Sequence, residues 1–501
     1  MPNRRPHNKI YRLGVPPVTF RILVMENPHM SLSMVNFKGA KRKGASLLVL
    51  AAAAAITLSG CSTAGKLNPF KNHNSDQGAV ASQGQRISIV AFDQKLQPSK
   101  SLKGIGYYLP PAAAVPNWPL SSGPDTLVQN AAAAKEFKVA WSKSVGAPSK
   151  GATEVLAQPV SDGQFIYTMD GEARVSAHDV ATGNQVWSID LNPHNKRDKT
   201  AFGGGLALAD GKLYVTSGFR FVEALDAATG AEVWKKVVDT QLHAAPTVNA
   251  AYVFATDVDN QIFAFDRTTG EMVWTYQAIA EPARLLKSSS PVVSGDVIYA
   301  PFSSGELVAL STSTGDPIWQ QVLAQSSRTN ALSEIRDISG RPVLYNGTIF
   351  AASHSGVFQA MDAKTGNPAW KVDADSVNTP WVAGDVVFLV SLQGELICVS
   401  RESGQVYWIK DLNAGVQKTK KGFFGLGREK KVGKVPLWAG PILASDRLVM
   451  VNSLGEAVAF DPKTGDRQET IKLGGAGFIA PIAVGDKLFV VTDDAKLVAI
   501  Q

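Results

Sequence analysis

Cysteine is nearly absent. The 501 residues carry two, Cys61 and Cys398, which excludes a disulfide-stapled scaffold. Histidine is sparse too, at positions 7, 29, 73, 178, 194, 243 and 354, and no two stand at metal-ligand spacing. His178, His194, His243 and His354 fall in the C-terminal body, where each is expected to be a solvated or hydrogen-bonded loop residue. P-loop, G-x-S-x-G and Ser-x-x-Lys patterns are missing from any suitable strand–helix context. Apolar runs fall short of the roughly 20 residues that span a bilayer. Net charge is missing from most of the chain. Residues 1–61 carry nine basic side chains against Glu26 and hold +8 of the formal +7, so the remainder is −1. The basic balance therefore belongs to the N-terminus, and a nucleic-acid partner is not expected.

What the N-terminus does contain is an address. Lys38, Lys41, Arg42 and Lys43 precede an apolar run over 46–58, and Leu58-Ser59-Gly60-Cys61 follows. Charged n-region, short h-region and small residues at the cut describe a signal peptide over 1–60. Residues 1–33 fit no part of it, and Met30 and Met34 stand as alternative starts. Cysteine directly after Leu-Ser-Gly resembles the bacterial lipobox. The resemblance implies cleavage before Cys61 and acylation of that residue. Ser62 after it implies sorting to the outer membrane, on the periplasmic face. Acyl chains anchor at about 0.8 kcal/mol per buried CH₂. Cys398, within the apolar run 395–399, reads as a small buried hydrophobe.

From 61 to 135 sustained periodicity is lacking, and proline-rich stretches such as 109–116 predict an extended, flexible tether. The island 86–92 alternates like a strand. Past residue 136 the chain repeats. A Thr-Gly or Ser-Gly pair recurs at Gly183, Gly230, Gly270, Gly315, Gly366, Gly404 and Gly465. Four residues after it stands Trp187, Trp234, Trp274, Trp319, Trp370 or Trp408, with Glu469 in the seventh unit. Four residues before it stands Asp179, Asp226, Asp266, Asp362 or Asp461, with Ser311 and Ser400 in the others. The Asp suits a side-chain-capped turn, the Gly supplies a positive φ, and the Trp fills the wedge between neighbouring sheets. Each unit reads as four short β-branched strands bounded by turn residues. The eighth ends at Gln501 one strand short, and the missing strand appears at 137–142, carrying Trp141. The expectation is an all-β fold: an eight-bladed propeller over 136–501, closed by its N-terminal strand.

The Asp-x-x-Thr-Gly-x-x-x-Trp unit resembles the tryptophan-docking repeat of quinoprotein (PQQ) dehydrogenases. The whole layout of lipobox, tether and compact eight-repeat ring resembles the BamB family of outer-membrane lipoproteins. That resemblance implies a non-enzymatic scaffold without cofactor. Such a scaffold is a monomeric subunit of the β-barrel assembly machine, anchored by lipid, whose partner is the periplasmic region of BamA. Two other readings stay open: a periplasmic quinoprotein-type enzyme or cofactor carrier, and a lipoprotein that binds cell-wall or polysaccharide ligands.

Partner-binding candidates follow from two connectors between blades. Arg284-Leu285-Leu286 combines adjacent leucines with a cation, the composition of an interface centre. Glu334, Arg336 and Asp337 occupy the position of the family's acidic connector. Leu285→Ala with Asp337→Ala is expected to weaken capture of BamA while leaving the ring folded. A basic insertion at 415–435, rich in Lys with Phe423-Phe424, reads as a solvated loop or as a hairpin for an anionic surface.

Overall fold

The computed structural model describes residues 96–121, 123, 127–150, 154–194, 200–281, 284–285, 289–324, 335–416 and 434–501. The signal peptide, Cys61, the island at 86–92 and most of the basic insertion lie outside the described residues. Among the described residues no helix is long and apolar enough to cross a membrane.

Eight four-stranded antiparallel sheets stand in a ring. Blades 1 to 7 span 160–190, 204–237, 247–277, 292–322, 343–373, 381–411 and 438–472. Within each, strands A to D run in sequence order from the innermost strand outward. Blade 8 takes three strands from the C-terminus, Ile482–Val484, Lys487–Val491 and Lys496–Ile500, and its outermost strand from Val139–Ser144. Trp141 pairs with Ala499 and Ser142 with Val498, so the expected closure is the one observed. Closing the ring this way leaves no open blade seam.

The repeat motif explains how the blades hold one another. In every blade the C–D ladder carries a bulge that breaks the register near the Trp position. The Trp stands opposite a small residue on strand C, for example Ala177, Ala264 or Ala360. In blade 6 that residue is Cys398, opposite Trp408 and fully buried, so the lone cysteine is a packing residue, and burial raises its thiol pKa. Each indole leans on a strand B aromatic of its own blade at 5.8–6.1 Å between ring centroids. It also reaches the next blade. The Nε1–H groups of Trp141, Trp187, Trp234, Trp274, Trp319 and Trp370 donate to a turn carbonyl there at 2.9–3.1 Å. The motif glycine receives the indole face. Its φ is +70 to +76° at all seven positions, and a Cβ there would meet the ring at 2.6–2.8 Å. Glycine is therefore required twice over, by backbone and by contact. The turn aspartates behave as read: Asp179 Oδ1 accepts from the backbone N–H and the hydroxyl of Thr182, each at 2.8 Å, which holds its pKa low.

Two seams depart from the rule. Between blades 6 and 7, Trp408 Nε1–H donates to the Tyr107 hydroxyl, which donates on to Pro462 O, the carbonyl that takes the indole directly elsewhere. Between blades 7 and 8, Glu469 replaces Trp and Phe137 replaces Gly. Phe137 keeps the positive φ, +47°, and is 2% exposed. Arg447 stacks over it at 5.3 Å and pairs with Glu469 at 2.8 Å. At the other seams a Cβ in this position would meet the indole ring, so the buried phenyl here takes the place of an indole.

The tether reading is corrected for residues 96–135. That segment is a strap docked on the ring. Ser99 N–H donates to Val406 O, Ala131 N–H to Leu443 O, Ala134 N–H to Asp486 O, and Gly485 N–H to Val115 O. Val115, Trp118, Ala131, Ala133 and Ala134 are buried in the same cluster as blades 7 and 8. Proline prevents helix here, yet the same extended backbone offers its free N–H and C=O groups to blade turns. A second correction concerns His178, which is a buried strand residue bonded to Ser176 Oγ at 2.9 Å, with its pKa lowered by burial.

Candidate functional site

The A–B–C–D order fixes two different faces. A–B and C–D turns emerge on one face; B–C turns and the D–A connectors between blades emerge on the other. The strap occupies the first. It touches the A–B turns of blade 1 at Gly163, of blade 6 at Gly384 and Asp385, of blade 7 at Ser445 and Asp446, and of blade 8 at Gly485. It also crosses the mouth of the central channel. Trp118 exchanges two backbone hydrogen bonds with Ser161 of blade 1, each 2.8 Å, and Leu208 N–H of blade 2 donates to Pro119 O. Ser121 Oγ lies 3.4 Å from Ser290 Oγ and accepts from Arg341 Nη1 at 2.8 Å, at the threshold of blade 5. Four residues thus stretch from one side of the channel to the other.

The connector face carries both sequence-read candidates. Arg284 is exposed and pairs with Asp259 at 3.2 Å, and Leu285 is half-buried. Arg336 is exposed. Leu286 and Glu334 lie outside the described residues. Asp337 is not presented to solvent, as a partner-facing acid would be. It is 4% exposed, and its Oδ2 accepts from Leu285 N–H. Burial raises its pKa to about 7, against smaller lowering by Leu285 N–H and Arg284. The two connectors are therefore brought together, with Asp337 as the strut beneath Leu285. An Asp337→Ala change would loosen the connector itself, so it does not isolate a partner contact.

The same face carries a feature the sequence reading missed. A groove of about 580 Å³ runs over blades 6, 7, 8 and 1, lined by Leu392, Pro436, Leu437, Phe478 and Val155 with Lys150 and Glu154 at its edge. Leu437 is 60% exposed and Phe478 38%. Exposed apolar residues framing one concavity mark an interaction surface. The available signal was the pair Pro436-Leu437 and the lone Phe478, each in a D–A connector where the repeat demands no apolar residue.

Comparisons with known proteins agree with the fold. The family described as outer membrane protein assembly factor BamB matches residues 171–410. An uncharacterised protein of Rickettsia prowazekii is 27% identical over 53% of this chain, and the chain spans 64% of that protein's length. The outer membrane protein assembly factor BamB of Burkholderia pseudomallei is 28% identical over 64% of this chain and 87% of its own. Among solved structures, BamB from Moraxella catarrhalis superposes with a TM-score of 0.59 at 17% identity, covering 72% of this chain and 99% of that one. Quinohemoprotein alcohol dehydrogenase from Comamonas testosteroni superposes with a TM-score of 0.56 at 17% identity, covering 76% and 77%.

Proposed function

We propose that this chain, a BamB-like PQQ-repeat β-propeller, is a non-enzymatic scaffold of outer-membrane β-barrel assembly that docks the periplasmic region of BamA on its connector face. The observation that carries this reading is the division of labour between the faces. The strap covers the turn face, while the connector face leaves a groove of about 580 Å³ with Leu437 and Phe478 exposed. Acylation of Cys61 would hold the ring at the periplasmic side of the outer membrane, and two anchoring signals or several chains suffice for stable attachment.

Hot spots at such interfaces are apolar anchors with a charged rim. Leu437 and Phe478 are the anchors here, with Lys150 and Glu154 at the edge; Leu285 and Arg336 form a second contact on the same face. The test is capture of BamA from solubilised outer membrane by the full lipoprotein. Leu437→Asp with Phe478→Asp should lose capture, and Leu285→Asp should weaken it. Tyr108→Asp, an exposed change on the strap face, should leave it intact. Undiminished capture by the groove variant would refute the placement. The likeness to the quinohemoprotein enzyme carries fold alone. Adding PQQ with Ca²⁺ to the purified chain and recording the bound chromophore tests an enzymatic reading directly.

A further inference from the structure

The central channel encloses a cavity of about 130 Å³ beneath the strap, lined by the threshold residues of the A strands together with Trp118 and Ser121. A water needs on the order of 10–15 Å³ by this measure, so about ten water-sized positions are available. Among the described residues the lining includes no carboxylate, and its charged side chain is Arg341. Arg341 is 6% exposed. Its Nη1 donates to Ser121 Oγ, and its Nε has no hydrogen-bond partner. Burial alone pushes its pKa down to about 9, with no neighbouring acid to offset it.

A buried guanidinium is normally paired, because removing the charge from water is costly. Here its counter-charge is missing among the described residues, and the Nε–Nη2 edge is left as a planar fork. That edge matches a carboxylate or phosphate in a two-bond geometry. Three more donors around the same cavity are also unpartnered and buried: Ser289 Oγ, Ser339 Oγ and Trp118 Nε1. Thr379 Oγ1 accepts from Arg341 N–H, which leaves its own proton free to donate. One cation, three hydroxyls and an indole N–H belong to residues lining a cavity that shows no anion among the described residues.

We propose that the channel is a binding site for one small oxyanion, a carboxylate or a phosphate, held on the Arg341 fork and by the Ser289, Ser339 and Trp118 donors. The strap contributes Trp118 and Ser121, so the occupied site ties the strap to blades 1, 4 and 5. A cavity of about 130 Å³ has room for one small molecule.

Isothermal titration of the full chain in detergent, with sodium phosphate and separately with sodium malonate, tests this. Sodium chloride at matched ionic strength is the control. Saturable binding of one anion per chain is expected for at least one of the two, and which one binds assigns phosphate or carboxylate. Arg341→Gln should weaken it roughly 10–100-fold, the worth of hydrogen bonds to a charged group. Ser289→Ala with Ser339→Ala keeps the cation and should weaken it about tenfold; this variant carries the test if Arg341→Gln does not fold. Absence of saturable binding to both anions, equal binding by chloride, or unchanged affinity in the folded variants would each overturn the proposal, leaving a channel filled by water.

Discussion

The seam between blades 7 and 8 offers a quantitative test of the docking rule. In the other seven seams an indole lies on a glycine, and a single Cβ at that glycine would sit 2.6–2.8 Å from the ring. At this seam Phe137 holds the glycine position and Glu469 the tryptophan position. Phe137→Gly removes a phenyl that is 2% exposed. Deleting such a ring costs about 3–5 kcal/mol, and relieving its left-handed backbone returns about 1–2. The net loss should be about 2–3 kcal/mol. Glu469→Trp forces an indole into space the phenyl occupies, costing about 2–3 kcal/mol. It also removes the pair with Arg447; half-exposed Glu469 makes that pair worth at most about 1 kcal/mol. The double variant rebuilds the ordinary dock and should lie within about 1 kcal/mol of the parent. The cycle therefore predicts a coupling of at least about 3 kcal/mol in favour of the double variant. Urea midpoints and slopes for the four proteins measure it. Additivity within about 0.5 kcal/mol would refute the claim that these two residues replace one another.

Other consequences are simpler. Gly230→Ala, whose Cβ would meet Trp187 at 2.8 Å, should cost about 2–4 kcal/mol; Gly211→Ala, with a similar φ (+72° against +74°) but open space, should cost only about 1. Paired thermal melts separate contact from backbone strain. Tyr107→Phe strips a donor and an acceptor from the Trp408–Pro462 relay and should destabilise by about 1–3 kcal/mol; loss of strap protection in amide exchange ahead of the ring would locate the effect. Asp337 is raised above its unfolded value, so the folded state holds the proton more tightly. Its contribution is full below about pH 4, declines as pH rises toward about 7, and is gone above. Asp337→Asn keeps an acceptor for Leu285 N–H and should flatten that part of the stability–pH curve; an unchanged slope between pH 5 and 8 would contradict it.

The ring was legible because its information is local. Each Asp-turn-Gly-Trp unit specifies its own turn, its own glycine conformation and its own dock within nine residues, so seven copies and an unmatched end strand sufficed to count blades and close the circle. Cys398 was legible as a small buried hydrophobe from the apolar run around it, and the structure added its place opposite Trp408. The candidate site was less so. Arg284 and Leu285 were read correctly as lying on a connector, but the sequence put Asp337 on the surface, since a lone acid in a loop is ordinarily solvated. The structure buried it, because Leu285 from the preceding connector supplies an N–H that the packing of neighbouring blades brings near.

What the sequence determined by itself was everything with a period: strand lengths, blade number, the docking tryptophans and the substitution at Glu469. Only the tertiary structure decided what is aperiodic. The strap has no pattern of its own, and its Gln129, Asn130 and Tyr107 side chains are held by turns some 255 to 355 residues away, at Gly384, Asp446 and Pro462. The channel's unpaired Arg341 and the groove at Leu437 and Phe478 likewise assemble from residues distant in the chain. No stretch of sequence records which charges and apolar surfaces a closed ring will leave without a partner, because that depends on the packing of all eight blades at once.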